Sequence, residues 1–225
     1  MMSPRRIPAL LLLLLTTGSS FVLAGWTRVP VKVTLPPKVE TRAGERVLVT
    51  LVRANEHELF NVGHEITRWL RRELGRNTGL EIIDVPPPQI PEQRAEKLAV
   101  NDVFWKRMGE DFEADLIVAA IAEYTAEDRS GFVSEDYTSE ITGQTVRRTV
   151  YRDRTAYKLR LHIFFLKGDN GALLHGDVWQ EERTLEGQER EDLHVLFQIL
   201  DVLKPDLMGV IQPTAIAEPR FIWAD

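Results

Sequence analysis

The chain has 225 residues, 44% of them hydrophobic, with 28 Lys and Arg against 34 Asp and Glu and no cysteine. A formal charge of -6 without a long basic run argues against a nucleic-acid binder, whose affinity rests on Lys and Arg neutralising phosphates. Without cysteine there is no disulfide, no thiol nucleophile and no lipid thioether, so an exported form is held by burial alone, in one sizeable core or two small ones.

Arg5 and Arg6 precede a short apolar run, Ile7 to Leu15, and a small-polar stretch, Thr16 to Ser20, leads to Ala24. This order predicts a secretory signal peptide over residues 1–24, with Val22 and Ala24 at the small-residue positions that signal peptidase reads. The apolar run falls well short of the roughly 20 residues that cross a bilayer, so no membrane-spanning segment is expected in the mature chain. Removing Arg5 and Arg6 takes the 28 basic residues to 26 and the formal charge from -6 to -8. Leu23-Ala24-Gly25 has the shape of a lipoprotein processing site, but Trp26 stands where a lipid-carrying cysteine belongs. The expectation is a periplasmic or secreted protein, cut near Ala24 and not lipidated.

Residues 25–43 carry Pro30, Pro36 and Pro37 between valines, which predicts an extended tether or an edge segment. Arg46 to Arg53 (RVLVTLVR) reads as a buried strand. Asn55-Glu56-His57-Glu58 offers a capping box ahead of Leu59, Val62, Ile66, Trp69, Leu70 and Leu74, spaced as one helical face and ended by Gly75 or Gly79. Leu80 to Val85 is a second strand. Pro86, Pro87, Pro88 and Pro91 then form a rigid connector, a spacer or a polyproline ligand. A second helical pattern over 92–112 precedes a third strand, Asp115 to Tyr124.

Tyr157 to Lys167 alternates Leu159, Leu161, Ile163 and Phe165 with Lys158, Arg160 and His162, a half-buried strand. Gly168-Asp169-Asn170-Gly171 is turn chemistry, Ala172 to Glu182 pairs back, and Glu191 to Ile211 closes as a helix that Pro205 kinks or splits. The fold class is therefore α/β, bordering on α+β: β-α-β-α-β, then a hairpin and a helix, with the helices packed on a mixed sheet. It is expected as a single domain over 44–212, with a hairpin insertion at 125–155 and a tail at 213–225.

This order resembles the N-terminal domain of TolB, a fold shared by the curli-secretion lipoprotein CsgG, the penicillin-binding-protein activator LpoB and the flagellar protein FlgT. The resemblance rests on ERVLVTLV, GHEITRWLRRELGRNTGLEIIDV, WKRMGEDFEADLIVAAIAEY and the hairpin LRLHIFFLKGDNGALLHGDVW, and covers roughly Gly44 to Gln212. It implies an accessory role in a secretion, appendage or cell-wall complex, and it makes Leu23-Ala24-Gly25-Trp26 look like a lipobox whose last residue has changed. In the curli-secretion branch the comparable insertion spans a membrane. Here the alternating set Val146, Arg148, Val150, Arg152 and Arg154 carries three arginines, and the other set carries Arg147 and Asp153, so neither face suits lipid. A soluble hairpin turning near Thr142-Gly143-Gln144 is expected, either a solvated loop or a contact arm whose Phe132, Tyr137 and Tyr151 anchor a protein partner.

His57 and His64 lie seven apart on the predicted helix, about two turns, and neither His57-Glu58 nor His64-Glu65 completes HExxH. Gly-x-Ser-x-Gly, a P-loop and Gly-x-Gly-x-x-Gly are all missing. His162 and His175 fall in paired strands, where they face each other if the register allows. No catalytic, metal or cofactor residue is assigned. The reading is a non-enzymatic envelope interaction module that binds an envelope protein, not nucleic acid. The alternatives are a hydrolase assembled from distant His, Asp and Glu, and a ring-forming homo-oligomer without a barrel.

Overall fold

The computed structural model describes residues 25–187 and 192–224, so the predicted signal peptide and its cleavage site after Ala24 lie outside the described residues. The chain divides into a large unit, Thr34–Thr214, and a small one made of described residues before Thr34 and after Thr214.

In the small unit, β1 (Gly25–Leu35) pairs with β10 (Thr214–Ala224) as a two-stranded ribbon. The first part of the predicted tether is thus a paired strand, and the predicted tail at 213–225 is its partner. Pro30 and Pro219 fall within these strands, and a two-stranded ribbon, in which each strand keeps one unpaired edge, is the setting in which sheets admit proline.

The large unit is the mixed α/β fold that the periodicity predicts, with four helices on a mixed sheet. β2 (Arg46–Val49) lies parallel to β4 (Glu81–Ile82) on one side and to β5 (Leu116–Asp128) on the other. The short β3 (Arg53–Ala54) also pairs with β5. β8 (Arg154–Lys167) runs antiparallel to β5 along its length, and β9 (Leu173–Glu186) continues the sheet beyond β8.

Helix α1 (Val62–Asn77) is capped by Asn61, whose Oδ1 accepts from the His64 N–H at 2.9 Å. The helix start predicted at Asn55 is therefore displaced by six residues, and with His64 at the third helical position the cap is a lone asparagine, not a capping box. Asn55 serves instead as a side-chain extension of β3: its Oδ1 accepts from the Tyr124 N–H at 2.7 Å and its Nδ2 donates to the Tyr124 carbonyl at 2.8 Å. An amide group carries one acceptor and two donors, so it reproduces a strand's backbone pairing where the chain has already turned away. The second predicted helix is interrupted and forms α2 (Ala95–Ala99) and α3 (Asp102–Phe112), because Asn101 caps a new start at the Phe104 N–H. Helix α4 (Asp192–Ile211) is one element with Pro205 inside it, rather than two.

Alternation sorts the core by sheet face. Val47, Val49, Val118, Leu159, Leu161, Ile163 and Phe165 meet Trp69 and Leu70 of α1 and Leu196, Leu200 and Leu203 of α4. Leu48, Ile117, Ala119, Phe164 and Leu166 meet Leu98 of α2 and Trp105 of α3 on the other face. Fully burying a large apolar side chain contributes about 1.5–3 kcal/mol, so these two layers dominate the large unit's stability. Helices α1 and α4 are also joined by charge. Glu73, 5% exposed, accepts from Lys204 Nζ at 2.6 Å, Arg72 Nε at 3.0 Å and Asn77 Nδ2 at 3.0 Å.

Helix α3 approaches the β8–β9 turn so closely that only glycine fits. A Cβ on Gly168 would stand 1.7 Å from the Ala114 carbonyl oxygen, and one on Gly109 would stand 2.0 Å from the Gly168 oxygen.

Candidate protein-contact site

The insertion between β5 and β8 folds as its own two-stranded ribbon, β6 (Gly131–Thr138) with β7 (Thr145–Arg152). Its tip turns at Gly143, whose φ of +68° suits a residue without a Cβ. Its base is pinned at Ser130, which donates to Asp153 Oδ1 at 2.9 Å and accepts from the Arg154 N–H at 3.0 Å. Arg152 and Arg154 both reach Glu186 on β9.

Register decides what each face presents. Phe132 stands opposite Tyr151, their ring centroids 5.4 Å apart and nearly perpendicular, and they remain 77% and 59% exposed. Tyr137 lies on the other face opposite Val146, with the Arg148 guanidinium 4.7 Å from its ring centre. The three aromatics expected to act together therefore form a pair and a single residue on opposite faces. The Tyr137 face also carries Glu135, which accepts from Arg148 and Arg152; those hydrogen bonds, Arg152 first, hold its carboxyl below the usual value. Charges thus interrupt the Tyr137 face at Glu135, Arg148 and Arg152, and the Phe132 face at Asp136 and Arg147. The sequence reading missed Ile141 at the tip, 96% exposed, because one apolar residue inside a turn forms no periodic signal.

The histidines are not brought together. His57 lies in the loop before α1, not on the helix, and its ring packs 4.4 Å from Phe60, whereas His64 is an exposed residue of α1. His162 pairs with Val178 and His175 with Phe165, so the cross-strand encounter allowed by the sequence is excluded by register. Among the described residues no group of three or more His, Asp or Glu stands close enough to hold a metal ion. None of the described helices is long and apolar enough to cross a membrane.

No protein-family model matches the chain, and no curated protein matches its sequence. Solved structures do. The PelC dodecamer of Paraburkholderia phytofirmans is similar at 12% identity over 82% of this chain and 99% of that one, with a TM-score of 0.38. Lipoprotein GNA1162 from Neisseria meningitidis matches at 9% identity over 73% and 99%, with a TM-score of 0.37. The LpoB C-terminal domain from Salmonella enterica matches at 13% identity over 65% and 86%, with a TM-score of 0.31. Likenesses at this level carry no argument about activity.

A second polar arrangement, unforeseen from sequence, ties the β3–α1 loop to the start of α4. Tyr157 donates to Asp192 Oδ1 at 2.7 Å, Tyr124 donates to the Asp192 carbonyl at 2.9 Å, and His57 Nε2 lies 3.5 Å from Asp192 Oδ2. Burial, with the Asp192 charge behind it, pushes the Tyr124 hydroxyl far up, so it stays protonated and remains a donor. The chemistry available here is fastening.

Proposed function

We propose that the chain is a non-enzymatic interaction module of the bacterial envelope, periplasmic or secreted and not lipidated, that docks a protein partner through the β6–β7 ribbon. The observation that carries this reading is the exposed Phe132–Tyr151 pair on a ribbon that none of the described helices covers. A lone two-stranded hairpin is marginal in water, and large aromatic side chains are the usual anchors of protein contacts. Exposing such a pair on such a scaffold is best explained by a partner that buries it. The partner is an envelope protein of a secretion, appendage or cell-wall complex. A second copy of the chain is the other reading, supported by the charge split along the ribbon: β6 carries Glu135 and Asp136 and no base, and β7 carries Arg147, Arg148 and Arg152 and no acid.

A photo-crosslinking residue placed at Phe132 in the exported chain, with another at exposed Val103 on α3 as control, tests the reading. A discrete product from position 132 alone is expected, and the double variant Phe132→Ser/Tyr151→Ser should lose partner recovery while its melting temperature is unchanged. Equal products from both positions, or full recovery by the double variant, would overturn it. Ultracentrifugation separates the occupants, since a second copy requires a concentration-dependent mass.

A further inference from the structure

On the sheet face that α2 and α3 cover, the rows past the two helices are open. Arg53 of β3, Ile121 of β5 and His162 of β8 lie side by side in one row, and Glu123 and Arg160 stand opposite each other nearby. With Arg94, Ala95 and Glu96 at the start of α2 they surround a cavity of about 320 Å³, within the size range of small-ligand sites.

Arg46, Arg71, Arg72, Arg129, Arg148 and Arg154 each meet a carboxylate. Among the described residues Arg53, Arg94 and Arg160 meet none, although Glu96 and Glu123 line the same cavity. Arg53 is half-buried, and its guanidinium donates to the backbone carbonyls of Pro91, at 2.6 Å, and Gln93. Those acceptors fix its position without neutralising it, and they leave part of its five-donor fork open. A half-buried cation held in place with no counter-charge is costly unless an anion completes it.

We infer that this cavity binds a phosphate ester whose organic part carries hydroxyl groups. The guanidinium groups of Arg53, Arg94 and Arg160 hold the phosphate, since forked donors match its oxygens. The carboxylates of Glu96 and Glu123 accept from the hydroxyls, and Ile121 supplies an apolar floor. Inorganic phosphate offers these carboxylates no organic hydroxyl to accept from, which is why the hydroxylated ester is selected over it. The ester is either free in solution or the headgroup of an anionic phospholipid, and the site stands independently of the ribbon.

Calorimetric titration of the mature chain at low salt with sn-glycerol 3-phosphate and with inorganic phosphate tests the site. Flotation with phosphatidylglycerol and phosphatidylcholine vesicles distinguishes the sources. Saturable binding of glycerol 3-phosphate, tighter than that of inorganic phosphate, is expected. Arg160→Gln and Arg94→Gln should each weaken it about tenfold, the size of one lost charge-assisted bond. Arg107→Gln, on the outer side of α3, should leave it unchanged. Flotation with phosphatidylglycerol alone, lost in Arg160→Gln, assigns the headgroup, and binding of the free ester without flotation assigns the soluble source. No saturable binding to either, or equal loss in Arg107→Gln, overturns the inference.

Discussion

Replacing Tyr157 by phenylalanine removes a single oxygen from the interior. The ring is fully buried and stacks on Tyr124 at 6.2 Å between centroids, so phenylalanine keeps the packing and leaves no cavity. What is lost is the 2.7 Å bond to Asp192 Oδ1. A hydrogen bond to a charged acceptor contributes about 1.5–3 kcal/mol. The Asp192 side chain is 17% exposed, so water partly replaces the lost donor and the low end, about 1.5 kcal/mol, applies. For a chain of this size that lowers the melting temperature by roughly 3–6 °C. Urea titration should show the midpoint move with an unchanged slope, because the surface exposed on unfolding is the same. A cycle with Asp192→Asn should return a coupling of about 1 kcal/mol. A Tyr157→Phe variant within about 0.3 kcal/mol of the parent would refute the claim that this bond fastens α4 to the sheet.

Two further outcomes follow from the packing. Burial pushes the Glu73 carboxyl up, but the bonds from Lys204 and Arg72 outweigh it and hold the group below 4.5, so the folded state favours its charged form. That contribution is present above the unfolded value of 4.5 and is lost as pH falls through the lowered folded value, so on acidification below 4.5 the parent should lose stability more steeply than Glu73→Gln. At pH 7 Glu73→Gln should cost about 1–2 kcal/mol, moderated because Lys204 is 39% exposed, and paired urea titrations at the two pH values read both effects. Gly168→Ala forces a methyl group against the Ala114 carbonyl, a backbone atom with no rotamer to yield, and should cost about 3 kcal/mol, read as a lower urea midpoint.

The fold was most legible where burial imposes a period. Leu159, Leu161, Ile163 and Phe165 predict β8 because one face of that strand is entirely covered, and the helical spacing of Ile66, Trp69, Leu70 and Leu74 predicts α1 for the same reason. Local signals failed where two positions offered the same chemistry. Asn55 and Asn61 are both good caps, and only Tyr124, 69 residues away from Asn55, decides that the first serves the sheet. The strand at 214–224 was hidden because its pairing partner lies at the other end of the sequence. At the candidate contact site, Phe132, Tyr137 and Tyr151 were readable as exposed aromatics, but which of them share a face depends on cross-strand register. The Tyr124–Tyr157–Asp192 fastening had no signal at all, since its members are separated by tens of residues and follow no spacing rule.

The ribbon of β1 and β10 joins the first of the described strands to the last of them. About 180 residues separate Leu35 from Thr214, so closing this ribbon joins strands far apart in the chain and carries a correspondingly large loop-closure cost. A product that stops before Thr214 never closes that row, and an open strand edge invites pairing with other chains or capture by quality-control machinery. The integrity of β1 is therefore tied to β10, so losing either strand leaves the other with an edge that aggregation can use.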